Sequence, residues 1–195
     1  MMLTTAVETP HSVAARRARL SRFGSAGSQV ADLDRGVYED LTLRLGQHPS
    51  ETAAFLVTRL LAYCLEYEDG IAFSEGISAT NEPAVLVRDA TGRQTSWIDV
   101  GAPDAERLHH GSKLAGRVRI YTHRDPAKVL PLWAGKKIHR VEDVVLTTFD
   151  PGFIDDVADA VERRNTVTLS VTEGQLYLDV NGVSLTSGIH RRSIV

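Results

Sequence analysis

The sequence lacks the features of several protein classes. Its 195 residues include one cysteine, Cys64, so no disulfide can form within the chain, and we expect this residue to be small, apolar and buried. No apolar run approaches the ~18 residues that a membrane-spanning helix needs. The N-terminal residues also lack the apolar segment of a signal peptide. These absences predict a bacterial-type cytoplasmic protein with no membrane partner.

Charge of either sign is not in large excess. Lys and Arg number 22 against 25 Asp and Glu, for a formal net charge of −3. A protein that coats nucleic acid through its overall field is usually strongly basic. We therefore expect any nucleic-acid contact to be local.

Several motifs are also absent. There is no Cys-x-x-Cys or His-x-x-x-His spacing among the one cysteine and seven histidines, which argues against a structural zinc site. There is no Gly-x-Ser-x-Gly elbow and no glycine-rich phosphate loop. The chemistry, if there is any, has to come from acidic and basic side chains.

Periodicity predicts one α/β domain over residues 19–190 after a flexible leader at 1–18. The central order is helix, three strands, helix, strand, and it predicts a mixed sheet with flanking helices. The predicted central elements are a helix at 48–70, strands at 71–74, 82–90 and 94–101, a helix at 103–116 and a strand at 117–123.

The two ends of the domain are predicted from weaker patterns. Residues 21–31 suggest an irregular edge strand. Asp150 is expected to cap an amphipathic helix at 150–164, and tight turns join three later strands into a C-terminal β-meander. The basic tripeptide at 190–192 is expected to form a flexible tail.

The hairpin at 82–101 carries the most informative acids. Asp99 has two candidate partners on the other arm, Glu82 and Asp89, and alternation puts these on opposite faces. A loop of even length, at either 91–92 or 92–93, places Asp99 opposite Ala84 or Leu86, on the face of Glu82. Asp89 is then a turn residue.

The apolar pattern decides between the two faces. A slip of one residue would turn the whole apolar set away from the core, so the register must bury it on one side. The residues expected on that buried face are Val85, Val87, Ile98 and Val100. This register predicts that Glu82 and Asp99 project from the same side of the hairpin.

Two carboxylates on one sheet face are costly unless they are paired or metal-bound. Together they suit a hard cation, Mg²⁺ or Mn²⁺. In the alternative they are solvated or paired with Arg88 or Arg107. Glu51, expected in the first turn of the long helix, is a third candidate, or it simply complements the helix dipole.

The motifs now resemble a known family. The chain resembles the YaeQ family, bacterial proteins whose fold is similar to that of the PD-(D/E)XK nucleases, over roughly residues 29–185. The matching segments are "ADLDR" (31–35), "HPSET" (48–52), "NEP" (81–83) and "WIDVGAPDAER" (97–107). The resemblance implies a PD-(D/E)XK nuclease-like core with the αβββαβ order.

The resemblance also implies site residues. Glu51, Glu82 and Asp99 match the acids that hold divalent metal in that superfamily, where a lysine two positions after the last acid stabilises developing charge. Here Gly101 takes that position. Lys113 is a candidate substitute on the next helix, as is a protonated His110, unless both simply lie on an exposed helix face.

Two functions follow as hypotheses. One is a Mg²⁺-dependent nuclease that cleaves DNA or RNA, with Glu82 and Asp99 as metal ligands. The other is a degenerate, non-catalytic module that binds nucleic acid or a protein in a regulatory role. The basic cluster at 135–140 is either a solvated loop or a phosphate-contacting patch beside the acids.

Overall fold

The computed structural model describes residues 25–44, 51–74 and 82–195. The predicted leader at 1–18 and the motif residues 48–50 and 81 lie outside this part of the chain. The helices are α1 (Ala53–Leu65), α2 (Ala105–Leu114), α3 (Pro126–Val129) and α4 (Phe153–Ala160), with 3-10 turns at Leu130–Leu132 and Val141–Asp143. The strands are β1 (Ser25–Asp32), β2 (Val37–Leu43), β3 (Ile71–Phe73), β4 (Val85–Arg88), β5 (Gln94–Val100), β6 (Arg117–Tyr121), β7 (Val144–Phe149), β8 (Arg164–Thr172), β9 (Gln175–Val180) and β10 (Val183–Ser193).

These strands form one mixed sheet in the order β2-β1-β8-β9-β10-β7-β6-β5-β4-β3. The pairs β1–β8, β5–β6 and β6–β7 are parallel, and the other neighbours are antiparallel. Strand β10 pairs with β9 up to Gly188 and with β7 from Ile189 onward. This long strand therefore joins the two halves of the sheet.

The central elements α1, β3, β4, β5, α2 and β6 follow each other in the predicted order. Asp104 is the N-cap of α2, as expected, and its Oδ1 accepts a hydrogen bond from the Arg107 N–H at 2.7 Å. The predicted start of α1 was too early, because Thr52 is its N-cap. Glu51 thus precedes the helix instead of lying in its first turn.

Helices cover both faces of this central region. α1 and α4 pack on one face in a large apolar cluster that includes Val85, Val87, Ile98 and Val100. α2 and the 3-10 turns pack on the other face around Trp97 and Trp133. The four apolar hairpin residues are all buried in the first cluster, as the alternation predicted.

Three predictions at the ends of the domain were wrong. Strand β1 is not an edge strand, since it lies between β2 and β8. The basic tripeptide 190–192 is not a tail, because it continues β10 and pairs with β7. Asp150 does not cap α4: Gly152 holds the N-cap position, and Asp150 instead accepts from Gly188 N–H and contacts His190.

Two absences in the sequence have structural counterparts. Cys64 is buried and unpaired, and burial raises the pKa of its thiol to about 12. A thiol with such a pKa stays protonated at neutral pH and is a poor nucleophile. Across residues 25–44, 51–74 and 82–195, no helix has the length and apolar character to cross a membrane.

Candidate functional site

Two of the three predicted acids meet at a cavity of about 230 Å³ at the end of the β4–β5 hairpin. Both Glu82 and Asp99 line it, together with residues from α1 and α2. The charged lining residues are Arg59, Glu82, Asp99, Arg107 and Arg124. The cavity therefore has two acids and three arginines around it.

The hairpin register places Asp99 on the predicted face. Val85 pairs with Ile98 and Leu86 with Trp97, so Ala84 lies opposite Asp99. The premise of an even loop was wrong, however. Asp89 N–H bonds to Arg93 O across a loop of three residues, and a bulge after Val87 then shifts the pairing by one. The bulge restores the register that buries the apolar face.

Asp99 lies in a closed polar cluster and is 2% exposed. Arg107 Nε donates to Asp99 Oδ1 at 2.9 Å and to Oδ2 at 3.0 Å, and Arg107 Nη2 lies 2.9 Å from Oδ1. The indole N–H of Trp97, two residues earlier on the same face, donates to Oδ2 at 2.7 Å. Burial raises the pKa of Asp99, and the bonds from Arg107 and Trp97 oppose that rise.

Glu82 shares the cavity but not the cluster. Its carboxylate is 39% exposed and lies 3.8 Å from the Arg88 guanidinium. Arg107 Nη2 donates to the backbone carbonyl of Glu82. The two predicted metal ligands thus each have their own arginine partner, which matches the paired alternative that the sequence left open.

Glu51 is held behind the cavity wall by a third arginine. Its Oε1 accepts from Arg59 Nη1 at 2.8 Å, with 0% of the Glu51 side chain and 6% of the Arg59 side chain exposed. Arg59 also lies 5.4 Å from the centre of the Phe73 ring, a cation–π arrangement. Arg59, not Glu51, reaches the cavity lining.

The cation at Asp99 comes from the expected helix, and it is Arg107 of the paired alternative, not His110 or Lys113. His110 and Lys113 on α2 are both exposed, and neither lines the cavity. His110 instead meets the Trp97 ring edge-on at 5.6 Å between ring centres. Arg107, in the first turn of α2, supplies the guanidinium, and its signal was its place three residues after the N-cap Asp104.

The backbone at Gly101 does not suit the lysine that the resemblance would place there. The backbone there has φ +88°, a conformation that favours glycine, and a Cβ would lie 3.9 Å from the Phe55 ring. A lysine at 101 would be strained. Gly101 N–H donates to Tyr121 O at 2.8 Å, so pairing with β6 continues up to this residue. The chain then leaves the sheet and enters α2.

Helix α2 approaches Trp97 closely at Gly111. A Cβ on Gly111 would lie 2.5 Å from Trp97 Cδ2 and 2.7 Å from Cγ. Trp97 is fully buried and its indole N–H is bound to Asp99, so the ring cannot shift freely. Glycine at 111 therefore sets the distance between α2 and the sheet, and with it the position of Arg107.

We expect Gly111→Ala to lower the free energy of unfolding by about 2 kcal/mol. Alanine gains about 1 kcal/mol in helix propensity, but the clash with Trp97 outweighs that gain. Urea unfolding at neutral pH measures the difference. Gly116→Ala, just after the C-cap of α2, is a control without the clash, since its Cβ would meet only Thr95 O at 3.7 Å. Equal stability of the two variants would contradict the close contact.

The remaining candidates lie apart from the cavity. Asp89 is a turn residue, as predicted: its Oδ1 accepts from Thr91 and Arg93 N–H groups, and its hydrogen bond with the Thr91 hydroxyl is the main cause that lowers its pKa. In the 135–140 cluster, Arg140 donates to Ser112 O and Ala115 O at the end of α2. Neither segment lines the Asp99 cavity.

The described ranges contain no group of three His, Cys, Asp or Glu residues placed to hold a metal ion. The three acids that the sequence suggested as ligands each contact a different arginine. The carboxylate oxygens that Mg²⁺ prefers are present, but each acid lies against a guanidinium. As placed, these residues do not fit a bound metal.

Comparison with known proteins gives consistent relatives. The family described as YaeQ protein matches residues 18–188. Uncharacterized protein YaeQ of Escherichia coli K12 is 29% identical over 154 residues, which cover 76% of this chain and 83% of the relative. The Salmonella typhi YaeQ is 27% identical over 152 residues, with the same coverage.

Solved structures give the same result. The crystal structure of YaeQ from Xanthomonas axonopodis pv. citri superimposes with a TM-score of 0.79 at 27% identity, over 89% of this chain and 98% of that one. The Pseudomonas syringae YaeQ structure has a TM-score of 0.76 at 27% identity, over 88% and 96%. The structural comparison and the sequence comparison therefore give relatives of the same family along most of the chain.

Proposed function

The chain belongs to the YaeQ family, and from that premise we propose that it is a non-catalytic binding protein with a nuclease-like core. The observation that carries the proposal is the pairing of every candidate acid with an arginine. Glu51 contacts Arg59, Glu82 contacts Arg88, and Asp99 contacts Arg107. Glu51 and Asp99 are buried in their pairs, where a nuclease would have acids free to hold metal.

The PD-(D/E)XK part of the proposal has two supports. The order α1-β3-β4-β5-α2-β6 is the αβββαβ order of that superfamily's core. Glu82 and Asp99 also line one cavity at the end of the hairpin, where the superfamily has its acids. We propose that the chain retains this core while its acidic site has become structural.

Electrostatics favour the structural role of Asp99. A metal at Asp99 would have to displace Arg107, which makes a bidentate, charge-assisted contact with the carboxylate. The displaced guanidinium would also lose its bond to the Glu82 carbonyl. A cation entering the cavity would further meet Arg59 and Arg124 in its lining, and like charges oppose its entry.

The catalytic alternative has one observation in its favour, the shared cavity of Glu82 and Asp99. It requires Arg107 to leave Asp99 when substrate binds. In that state Glu82 and Asp99 would be the ligands proposed for Mg²⁺ or Mn²⁺, with Glu51 assisting. Lys113 or His110 would then have to approach from α2, where both are now exposed.

Calorimetric titration with Mn²⁺ separates the two roles. We expect no binding that depends on Asp99: wild type and Asp99→Asn should give the same heats, as should the control Glu106→Gln on the exposed side of α2. A panel of DNA and RNA substrates should remain uncleaved in Mg²⁺ or Mn²⁺. Mn²⁺ binding and cleavage that both vanish in Asp99→Asn, but not in Glu106→Gln, would overturn the proposal.

A further inference from the structure

A second and larger opening lies on a different part of the sheet. It is a cleft of about 540 Å³ that shares no lining residue with the Asp99 cavity. We call it the arginine cleft because five arginines line it: Arg35, Arg117, Arg119, Arg191 and Arg192. Two of them belong to the tripeptide that the sequence suggested was a tail.

Strand register explains why these side chains converge. Arg119 pairs with Val145 across β6–β7, and Val145 pairs with Ser193 across β7–β10. Tyr121 and Arg191 are related in the same way through Thr147. Paired residues project from the same face of a sheet, so Arg119 and Arg191 rise from one surface, two strands apart.

The walls of the cleft come from the other half of the sheet and from α1. Asp32, Asp34 and Arg35 lie at the end of β1, and Leu65 and Glu66 lie at the end of α1. Arg35 donates to Leu65 O and Tyr67 O, and so satisfies carbonyls at the helix end. The cleft is thus built by packing of distant segments, not by one mobile loop.

Most of the acids in the cleft have protein partners already. Asp34 accepts from the N–H groups of Glu173 and Gly174 at 2.7 and 2.8 Å. Glu66 Oε1 accepts from the buried Tyr121 hydroxyl at 2.7 Å and lies 4.0 Å from Arg119 Nε. These bonds from neutral groups hold the two carboxylates in place without removing their charge. The three acids of the lining therefore offset part, but not all, of the charge of its five arginines.

Asp32 completes the set of acids. It is 1% exposed, and its Oδ1 accepts from the Arg35 N–H at 3.1 Å. Its Oδ2 lies 3.9 Å from Arg35 Nη1. This acid therefore neutralises the arginine beside it at the base of the wall.

The outer arginines have no comparable partner. Arg117 contacts Glu68 and Ser96, whereas Arg191 and Arg192 are exposed and form no ion pair within the described residues. Like charges held close together repel one another. Arg191 lies on the face of Arg119, whereas Arg192, the next residue of β10, alternates to the other face. An anion between Arg119 and Arg191 would therefore relieve the repulsion on that face.

We infer that the arginine cleft binds a phosphate group of a phosphorylated ligand. Guanidinium groups form bidentate contacts with phosphate oxygens, and Arg191 and Arg119 both line the cleft from one face of the sheet. The near-neutral net charge makes this a local recognition site. The inference does not depend on whether the Asp99 cavity is catalytic.

The phosphate can come from a free nucleotide or from a nucleic-acid backbone. A free nucleotide places one phosphorylated group in the cleft. A backbone would cross the cleft and add contacts outside it, and its binding would weaken steeply with salt. Both ligands share the arginine–phosphate contact. The choice of probes in the binding experiment distinguishes a free nucleotide from a nucleic-acid backbone.

The test compares Arg191→Gln/Arg192→Gln with a matched control, Arg163→Gln/Arg164→Gln. The control removes the same charge from an exposed adjacent pair that does not line the cleft. Probes are inorganic pyrophosphate and AMP by calorimetry, and a short fluorescein-labelled single-stranded DNA by anisotropy. Thermal unfolding of each variant shows whether it remains folded.

We expect wild type and control to bind at least one probe, and the cleft variant to bind it about tenfold or more weakly. The cleft variant should melt at or above the wild-type temperature, because it loses repulsion and no ion pair. Pyrophosphate or AMP binding alone would assign a free nucleotide, and tighter DNA binding with a strong salt dependence would assign a backbone. No binding of any probe by wild type, or equal weakening in both variants, would overturn the inference.

Discussion

Replacing Arg59 with methionine is expected to lower the free energy of unfolding by about 4 kcal/mol. The Arg59–Glu51 pair is the most buried ion pair in the described part of the chain, with side-chain exposures of 6% and 0%. Methionine keeps most of the side-chain volume, so the loss is mainly electrostatic. It leaves the Glu51 carboxylate in the interior without the guanidinium that compensates its desolvation.

Urea unfolding at neutral pH measures this loss, and Arg88→Met is the matched control. The Arg88–Glu82 pair has side-chain exposures of 47% and 39% and a separation of 3.8 Å. An exposed pair of that kind contributes roughly 0–1 kcal/mol. Similar small losses in both variants would mean that burial does not govern the Arg59–Glu51 pair.

Replacing Arg107 with methionine is expected to cost about 3 kcal/mol at neutral pH. Arg107 is more exposed than Arg59, at 24% of its side chain, but its partner Asp99 is nearly fully buried. The substitution removes the contacts to both carboxylate oxygens and the bond to Glu82 O. The Trp97 indole would then be the main donor left to Asp99.

This loss should depend on pH in a defined direction. Burial raises the pKa of Asp99 above the usual range of an aspartate, and Arg107 opposes that rise. Without Arg107 the pKa rises further, so folded Asp99 binds its proton at a pH where the unfolded carboxyl has lost it. Between those two pKa values stability falls as pH rises, and the deficit of Arg107→Met therefore grows from acid toward neutral pH.

Urea unfolding across the pH range from mildly acid to neutral checks this dependence. The double variant Asp99→Asn/Arg107→Met removes the titrating group and should lose the pH-dependent part of the deficit. Arg88→Met again serves as the exposed control. A deficit of constant size at all pH values would show that Arg107 acts through packing and not through the charge of Asp99.

The hairpin illustrates how much a local pattern can predict. The alternation of Val85, Val87, Ile98 and Val100 placed Asp99 opposite Ala84 or Leu86, and the register puts it opposite Ala84. The reasoning from loop length failed, since a bulge after Val87 offsets the odd loop. Burial of an apolar face outweighs turn geometry because a slip of one residue would expose the whole set.

The candidate site shows where sequence reasoning stopped. The break at Gly101 indicated that any cation had to come from the next helix, and Arg107 on α2 supplies it. His110 and Lys113 were chosen from their spacing along the chain. The contact with Asp99 depends instead on which side chain of α2 lies close enough to the carboxylate, and that is Arg107. Gly111 lets α2 approach Trp97, and at that distance the first turn of the helix, not its last, lies over Asp99.

By itself the sequence determined the central order of elements, the buried face of the hairpin and the capping of α2 by Asp104, because each follows from periodicity or from neighbours in the chain. Only the tertiary structure decided the arginine partners of the acids and the place of Arg191 and Arg192 in a cleft. Those contacts join segments far apart in sequence, such as β6 and β10. Their geometry depends on sheet order and side-chain reach, which no local pattern contains.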